Sequence, residues 1–258
     1  MKRRADILVV EQGLVNSREK AKRLIMSGEV LAGSQRIEKP GELIDVDKEL
    51  RLKSIPPKYV SRGGYKLEKA ISYFNLDLKD KICMDIGAST GGFTHCMLLN
   101  GAKKVYAIDV GTNQLDYSLR TDNRVVSIEK TNIRYFDKNL IEDNIDFISI
   151  DVSFISLELV LPIASNILSD SGKIVALIKP QFEAGKDKVG KKGVIKDKKV
   201  HREVVEKIIE FSKNLGLCVG DLTISPITGT TGNVEFLILL QKKEDNVCDY
   251  NIEEVVGV

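Results

Sequence analysis

Short apolar runs rich in isoleucine and valine recur beyond residue 80, at Ile82–Ile86, Val105–Ile108, Val125–Ile128, Phe147–Ile150 and Ile174–Ile178. Each has the length of a strand buried on both faces. Between most of them the apolar spacing changes to a helical period, at Gly92–Asn100, Leu157–Leu168 and Lys198–Leu215, and a helix at Gly64–Phe74 precedes the first run. This alternation predicts an α/β fold with a mostly parallel sheet and helices on both faces. Two further strands are predicted at Cys218–Ile224 and Val234–Gln241. Their connection is too short for a crossover helix, so they should pair antiparallel.

The first fifty-five residues follow a different pattern. Leu8 to Gly13 has a helical apolar spacing ended by Gly13. Ser17 is placed to cap a second helix from Arg18 to about Met26, stopped at Gly28, with Lys20 where a full capping box has Glu or Gln. Ala21, Leu24 and Ile25 line one face of it, and Arg18, Lys22 and Arg23 another. Short strands are predicted at Glu29–Ala32 and near Ile44–Leu52. The pattern breaks near Pro56-Pro57, which divides the chain into a small α+β domain over 1–55, a linker over 56–62 and an α/β domain over 63–258.

Composition sharpens this division. The hydrophobic fraction of 43% supports a real core and excludes global disorder. The net charge is only +2, but residues 1–70 hold 16 Lys and Arg against 10 Asp and Glu, while the rest holds 23 against 27. A basic first part joined to a mildly acidic remainder points the first part toward a polyanion. Cys83, Cys96, Cys218 and Cys248 include no C-x-x-C pair, so neither a disulfide framework nor a metal cluster is expected, in keeping with a reducing cytosol. His95 and His201 read as structural or solvent-facing. Met1-Lys2-Arg3-Arg4 looks like the charged end of a signal peptide, but the apolar run behind it is only Ile7 to Val10. A signal peptide needs about 7–15 such residues and a membrane span about 20. A soluble, cytoplasmic protein is therefore expected.

The segments Arg4-Ala5-Asp6, Ser17-Arg18-Glu19-Lys20-Ala21 and Ile25-Met26-Ser27-Gly28-Glu29-Val30 resemble the S4 RNA-binding domain. The resemblance implies a basic helix pair and strand that lie against structured RNA. Arg4, Arg18, Lys20, Lys22 and Arg23, with Arg62 beyond the prolines, are the candidate RNA contacts. Cationic side chains three to four residues apart can follow a phosphate backbone without reading bases.

The candidate cofactor site begins where the first run meets a helix, at Met84-Asp85-Ile86-Gly87-Ala88-Ser89-Thr90-Gly91-Gly92-Phe93-Thr94. Small residues here let the backbone approach a ligand. A dinucleotide loop would carry glycine where Ser89 stands, and the charge of Asp85 opposes a phosphate but suits a cation. The D-x-G-x-x-x-G pattern resembles the first motif of Rossmann-like methyltransferases, whose donor, S-adenosylmethionine, carries a sulfonium and an ammonium. Asp85, Gly87, Ser89, Gly91, Gly92 and Phe93 are the candidate binding residues. Asp109, 22 residues after Gly87, ends the second strand, where a carboxylate can accept hydrogen bonds from both ribose hydroxyls. Asn132, after the third strand, is a candidate adenine contact.

Four charged residues stand at element ends. Lys66 opens a helix, Asp151 ends the fourth strand, Lys179 ends the fifth and Glu235 begins the last. A charge directly after an apolar strand is not explained by packing, and ligands bind at the carboxyl ends of strands in open α/β sheets. Lys-Asp-Lys-Glu in this order resembles the tetrad of FtsJ-type ribose 2'-O-methyltransferases. With the S4-like start, Ser61-Arg62-Gly63-Gly64-Tyr65-Lys66-Leu67, Lys179-Pro180-Gln181-Phe182-Glu183, and Ser225-Pro226 followed by Gly232-Asn233-Val234-Glu235, the chain resembles the TlyA family over nearly its whole length. That resemblance implies methylation of a cytidine ribose in ribosomal RNA within a ribosomal subunit; such proteins also carry a haemolysin label. A ribose hydroxyl needs a base as it attacks a methyl carbon. Lys179 is the candidate base, because burial and a second cation favour the neutral amine of a lysine. Lys66 would supply that cation, Asp151 would orient Lys179, and Glu235 would hold Lys66 or the ribose. No metal is required.

Seven lysines between Phe182 and Lys199 suggest a cationic loop that closes over RNA, and Tyr59 stands where the TlyA family often has an aromatic residue coupling its domains. Two other readings compete. A non-catalytic RNA-binding or ribosome-assembly factor would have no use for the tetrad. A membrane-active haemolysin would show long apolar or strongly amphipathic stretches, and none is evident.

Overall fold

The computed structural model describes residues 1–53, 57–190, 193–229, 231–242 and 250–257. Pro56, Lys191, Lys192 and Cys248 lie outside the described residues, as does the side chain of Lys186. The chain forms two compact units, Met1–Lys58 and Tyr59–Val258.

In the first unit, strand β1 (Lys2–Arg4) leads directly into helix α1 (Ala5–Glu11), and α2 (Arg18–Met26) follows. Ser17 caps α2, its side chain accepting the Lys20 N–H at 3.3 Å. Four short strands complete the unit: β2 (Val30–Ala32), β3 (Gln35–Arg36), β4 (Leu43–Asp45) and β5 (Leu50–Leu52). β1 pairs antiparallel with β4, while β2 lies between β3 and β5. The stretch expected as one strand near Ile44–Leu52 is thus two strands in separate sheets. The charged run Asp47-Lys48-Glu49 interrupts the apolar alternation, and Lys48 N–H bonds back to the Asp45 carbonyl at 3.0 Å to close a turn. Leu8, Val9, Ala21, Ile25, Val30 and Leu50 make the small core.

The second unit comprises α3 (Gly63–Tyr73), β6 (Ile82–Ile86), α4 (Gly92–Leu99), β7 (Lys104–Ile108), α5 (Tyr117–Arg120), β8 (Val125–Ile128), β9 (Ile145–Ile150), α6 (Leu161–Ile167), β10 (Leu168–Ile178), α7 (Pro180–Glu183), α8 (Lys198–Asn214), β11 (Cys218–Ile224), β12 (Phe236–Gln241) and α9 (Ile252–Val256). Its sheet runs β11-β12-β10-β9-β6-β7-β8. The five strands β6 to β10 are parallel to their neighbours among themselves, and β12 is antiparallel to both β10 and β11, as expected. Alternate residues turn to opposite faces. Met84 and Ile86 pack with residues of α6 and α8, whereas Cys83 packs with residues of α3 and α4. Both faces are therefore covered, which explains why these strands read as mostly apolar runs, with Asp85 and Ser149 as buried polar exceptions.

From β6 the chain extends the sheet first through β7 and β8, then returns to place β9 and β10 on β6's other side. This reversal opens a crevice at the carboxyl ends of β6 and β9. The register pairs Ile86 with both Ile108 and Ile150, so the residues that follow, Gly87, Asp109 and Asp151, emerge side by side.

Several boundaries differ from expectation. β10 starts at Leu168, well before the run Ile174–Ile178. The helix expected over Leu157–Leu168 is a single 3-10 turn, Leu157–Leu159, followed by α6 with Pro162 in its first turn. Glu235 stands just before β12, not at its first residue. Among the described residues no helix is long and apolar enough to cross a membrane.

Candidate active site

The β6–α4 loop turns three times through left-handed backbone, with φ of +86° at Gly87, +48° at Ser89 and +92° at Gly91. At Gly87 a side chain is also excluded by space, since a Cβ there would lie 2.5 Å from the Asp151 carbonyl oxygen. The glycine lets the two strand ends meet. At Gly92 a Cβ would lie 2.3 Å from Ser61 Oγ, so the start of α4 presses against the segment leading into α3. Phe93 is buried beside it and borders the central cavity.

Asp85 does not reach that cavity. It is completely buried, accepts Thr94 N–H at 2.9 Å and the Thr94 hydroxyl at 2.7 Å on one oxygen, and the Ser149 hydroxyl at 3.0 Å on the other. Burial pushes its carboxyl up to about 6, against the opposing effect of those bonds. Asp85 thus pins the first turn of α4 to β6 and β9 and shapes the glycine loop from beneath. Asp109 lies on the open side of the loop. One oxygen accepts Ser89 N–H at 2.8 Å and the other Gly111 N–H at 2.7 Å. It borders a hollow of only about 10 Å³, lined also by Gln114, Leu115, Ser127 and Glu129. Asn132 lines neither space; it is exposed, and its side chain accepts Arg134 N–H at 3.1 Å to cap a 3-10 turn.

Lys66, Asp151, Lys179 and Glu235 converge. Lys66 comes from the first turn of α3, Asp151 from the end of β9, Lys179 from the end of β10 and Glu235 from the residue before β12. Asp151 lies between the two ammonium groups, 2.6 Å from Lys179 Nζ and 3.7 Å from Lys66 Nζ. Lys66 also donates to Glu235 Oε2 at 2.6 Å. Lys66, Lys179 and Glu235 are almost wholly buried, while the side chain of Asp151 is 20% exposed. All four border a cavity of about 720 Å³ that also touches Gly87, Ser89, Gly92, Phe93 and Arg62.

In and behind the wall of the same space lie residues to which the sequence assigned no role. Lys179 Nζ donates to Ser153 Oγ at 3.0 Å. Phe154, at the rim, is 89% exposed with φ of +63°, and its ring lies 4.9 Å from that of Phe182. Glu183 is buried and accepts the Ser156 hydroxyl and Leu157 N–H. Asn233, completely buried, accepts Ile195 N–H and donates to the Gly193 carbonyl, which ties the lysine-rich loop to the segment carrying Glu235. The available signal was position: each polar residue falls within four residues of a tetrad member along the chain.

Tyr59 is buried in the second unit, edge-on to Tyr65 and His95, and a Cβ on Gly64 would strike its ring at 2.2 Å. His95 Nδ1 accepts Val60 N–H, and His201 pairs with the Ile195 carbonyl, so both histidines are structural. Among the described residues no group of His, Cys, Asp or Glu could hold a metal ion.

In the first unit Arg4 and Arg18 meet on one carboxylate. Asp6, with no exposed surface, accepts Arg4 Nε at 3.0 Å and Arg18 at 2.8 Å. Arg4 above all holds its carboxyl down at about 2. Lys22 pairs with Glu19 at 2.7 Å; Arg23 is exposed and Lys20 half-buried. Arg62 belongs to the second unit, at the cavity edge.

Comparison with known proteins agrees with this division. The profile of the FtsJ-like methyltransferases matches residues 59–242, and that of the S4 domain matches residues 3–50. "Putative rRNA methyltransferase YqxC" of Bacillus subtilis is 53% identical over 93% of this chain and 85% of its own length. The 16S/23S rRNA (cytidine-2'-O)-methyltransferase TlyA of Mycobacterium tuberculosis is 38% identical over 94% of this chain and 91% of its own. A solved structure titled "Putative hemolysin from Streptococcus thermophilus" is 49% identical, covers 99% of this chain and 94% of its own, and superposes with a TM-score of 0.74.

Proposed function

The chain belongs to the TlyA family of FtsJ-like methyltransferases, and from that premise we propose that it methylates the 2'-hydroxyl of a cytidine ribose in ribosomal RNA, using S-adenosylmethionine, with Lys179 as general base. The observation that carries this reading is Asp151 held between two buried lysines, at 2.6 and 3.7 Å, where the strand order reverses.

The residues present suit a cationic, adenosine-bearing donor. Asp109 ends β7 with both oxygens on loop N–H groups, so ribose hydroxyls would compete for a carboxylate already aimed at the loop. Gly87 brings the backbone against Asp151. The tetrad holds two cations and two anions; with Lys179 neutral it carries a net negative charge, which favours a sulfonium neighbour. When bound, S-adenosylmethionine supplies an electrophilic methyl carbon on a sulfonium.

The chain's own groups do the rest. Lys179 takes the ribose hydroxyl proton as the oxygen–carbon bond forms and the carbon–sulfur bond breaks. Asp151 orients Lys179 and balances the ammonium that results. Lys66, fixed by Glu235, supports the attacking oxygen. Much of the acceleration comes from alignment of oxygen, carbon and sulfur. Phe154 and Phe182 give an unstacked base an aromatic surface at the rim, and Arg4 and Arg18, held by Asp6, are set to meet phosphates. A substrate of this kind places the protein's work in the cytoplasm.

The test is to incubate unmodified ribosomal subunits with methyl-labelled donor and map the labelled ribose. The parent should label one or a few cytidine riboses, and Lys179→Ala should bind donor yet transfer none. Transfer by Lys179→Ala at the parental rate would sink the reading. RNA binding with no transfer by the parent would favour the non-catalytic assembly factor.

A further inference from the structure

Lys179 Nζ has three tetrahedral directions besides its bond to Cε. Asp151 Oδ1 accepts along one at 2.6 Å and Ser153 Oγ along a second at 3.0 Å. A neutral amine with both N–H groups so engaged has only the third direction for its lone pair, and Lys179 borders the central cavity. Without the second acceptor the amine turns about the Cε–Nζ bond and the lone pair loses its aim.

Ser153 needs its own support, because the loop that carries it is not held by regular structure. The next residue, Phe154, has φ of +63° and is 89% exposed. Glu183 supplies the anchor. It ends α7, which begins at Pro180 directly after Lys179. Its carboxylate accepts the Ser156 hydroxyl at 2.6 Å and Leu157 N–H at 2.8 Å. The short span Lys179–Glu183 therefore grips the Ser153–Leu157 segment at two points, one at each end. Burial raises the Glu183 carboxyl above the usual range, so keeping it there costs stability that a neutral acceptor would spare.

We propose that Ser153 and Glu183 are positioning residues for the base: Glu183 fixes the loop after β9, and Ser153 on that loop aims the Lys179 lone pair at the ribose hydroxyl. This rests on Lys179 being the base. In this role Ser153 acts through Lys179 and Glu183 acts through the loop, so their loss acts on kcat and spares binding.

The experiment measures kcat, RNA KM and donor Kd for the full chain and for Ser153→Ala, Ser153→Thr, Glu183→Ala, Glu183→Gln, the Ser153→Ala/Glu183→Ala pair and Lys179→Ala. Ser153→Ala should lower kcat about 10- to 100-fold through misalignment, with KM and Kd within about twofold. Ser153→Thr, which returns the hydroxyl, should recover most of the rate. Glu183→Ala should fall similarly, and the double variant should be no slower than Ser153→Ala, because one residue acts through the other. Parental kcat in either alanine variant, losses that multiply in the double variant, or an equal loss of donor affinity overturns the proposal. Should Glu183→Ala not fold, Glu183→Gln, which keeps an acceptor for Leu157 N–H, takes its place beside the Ser153 pair. An active Lys179→Ala removes the base assignment and the relay together; an inactive one beside parental Ser153→Ala and Glu183→Ala removes the relay alone.

Discussion

Lys66 and Glu235 stand 169 residues apart in sequence and 2.6 Å apart in space, with side-chain exposures of 9% and 3%. The pair leaves Lys66 at 3.7 Å from Asp151, outside hydrogen-bond range, so Glu235 is its principal partner. Removing Glu235 strands a buried ammonium. Glu235→Ala is expected to cost roughly 3–5 kcal/mol of stability and to abolish transfer. Glu235→Gln, which keeps an acceptor, should be milder in both. Urea unfolding alongside methyl transfer checks this, and equal stability of the two variants would contradict it.

Gly87→Ala tests the contact between strand ends. The added methyl meets the Asp151 carbonyl oxygen at 2.5 Å on a backbone with φ of +86°. Asp151 must shift, and its hold on Lys179 with it. Transfer should fall on the order of 100-fold and donor affinity should weaken, read by single-turnover rates and calorimetry. An alanine variant with parental kinetics would show that the loop yields without moving Asp151.

Asp85 predicts a pH signature. Its carboxyl sits at about 6 in the fold and near 4 in an unfolded chain. Because the folded value is raised, the stability tied to the neutral form is complete below about 4 and lost as pH rises through about 6. At neutral pH the charge costs roughly 3 kcal/mol. Asp85→Asn should therefore gain on the parent as pH rises from 4 to 7, while the parent alone keeps the strongest hold on Thr94. Melting curves of both proteins at several pH values check this, and a pH-independent difference between them refutes it.

Asp6 predicts the opposite sign. Its carboxyl is held at about 2 by Arg4 first and by Arg18, so its stabilisation is full above about 4 and lost as pH falls through about 2. Asp6→Asn should loosen both arginines, speed amide exchange over residues 5–26 at pH 7, and weaken RNA binding. Unchanged RNA affinity with faster exchange would confine Asp6 to a structural part.

Much of this was legible along the chain. The runs at Ile82–Ile86 and Ile174–Ile178 are strands because short, mostly apolar stretches of strand length continue on both pleat faces, and the cap at Ser17 is a local matter of one side chain and one N–H. The split of Ile44–Leu52 was missed because a three-residue charged turn is too short to break an apolar average. Asp85 and Asp109 were both expected to face the donor. Asp109 borders a hollow beside the loop while Asp85 is wholly buried, since inside or outside depends on the pleat and on what packs beneath, and Thr94 and Ser149 hold Asp85 down.

Local pattern determined the type of the main elements, the small-residue loop after β6 and the position of each tetrad residue at an element end. Which ends meet was decided by the tertiary structure alone. Strand order and register are sums over many pairings between distant segments, and a run of isoleucine and valine pairs equally well with any other. The reversal between β6 and β9 sets Asp151 beside Gly87, and the antiparallel entry of β12 brings Glu235 to Lys66. Ser153 and Glu183 gained their contacts from the pairing of β9 with β10 and Asn233 from the loop before α8, and only their closeness to a tetrad member along the chain hinted at it.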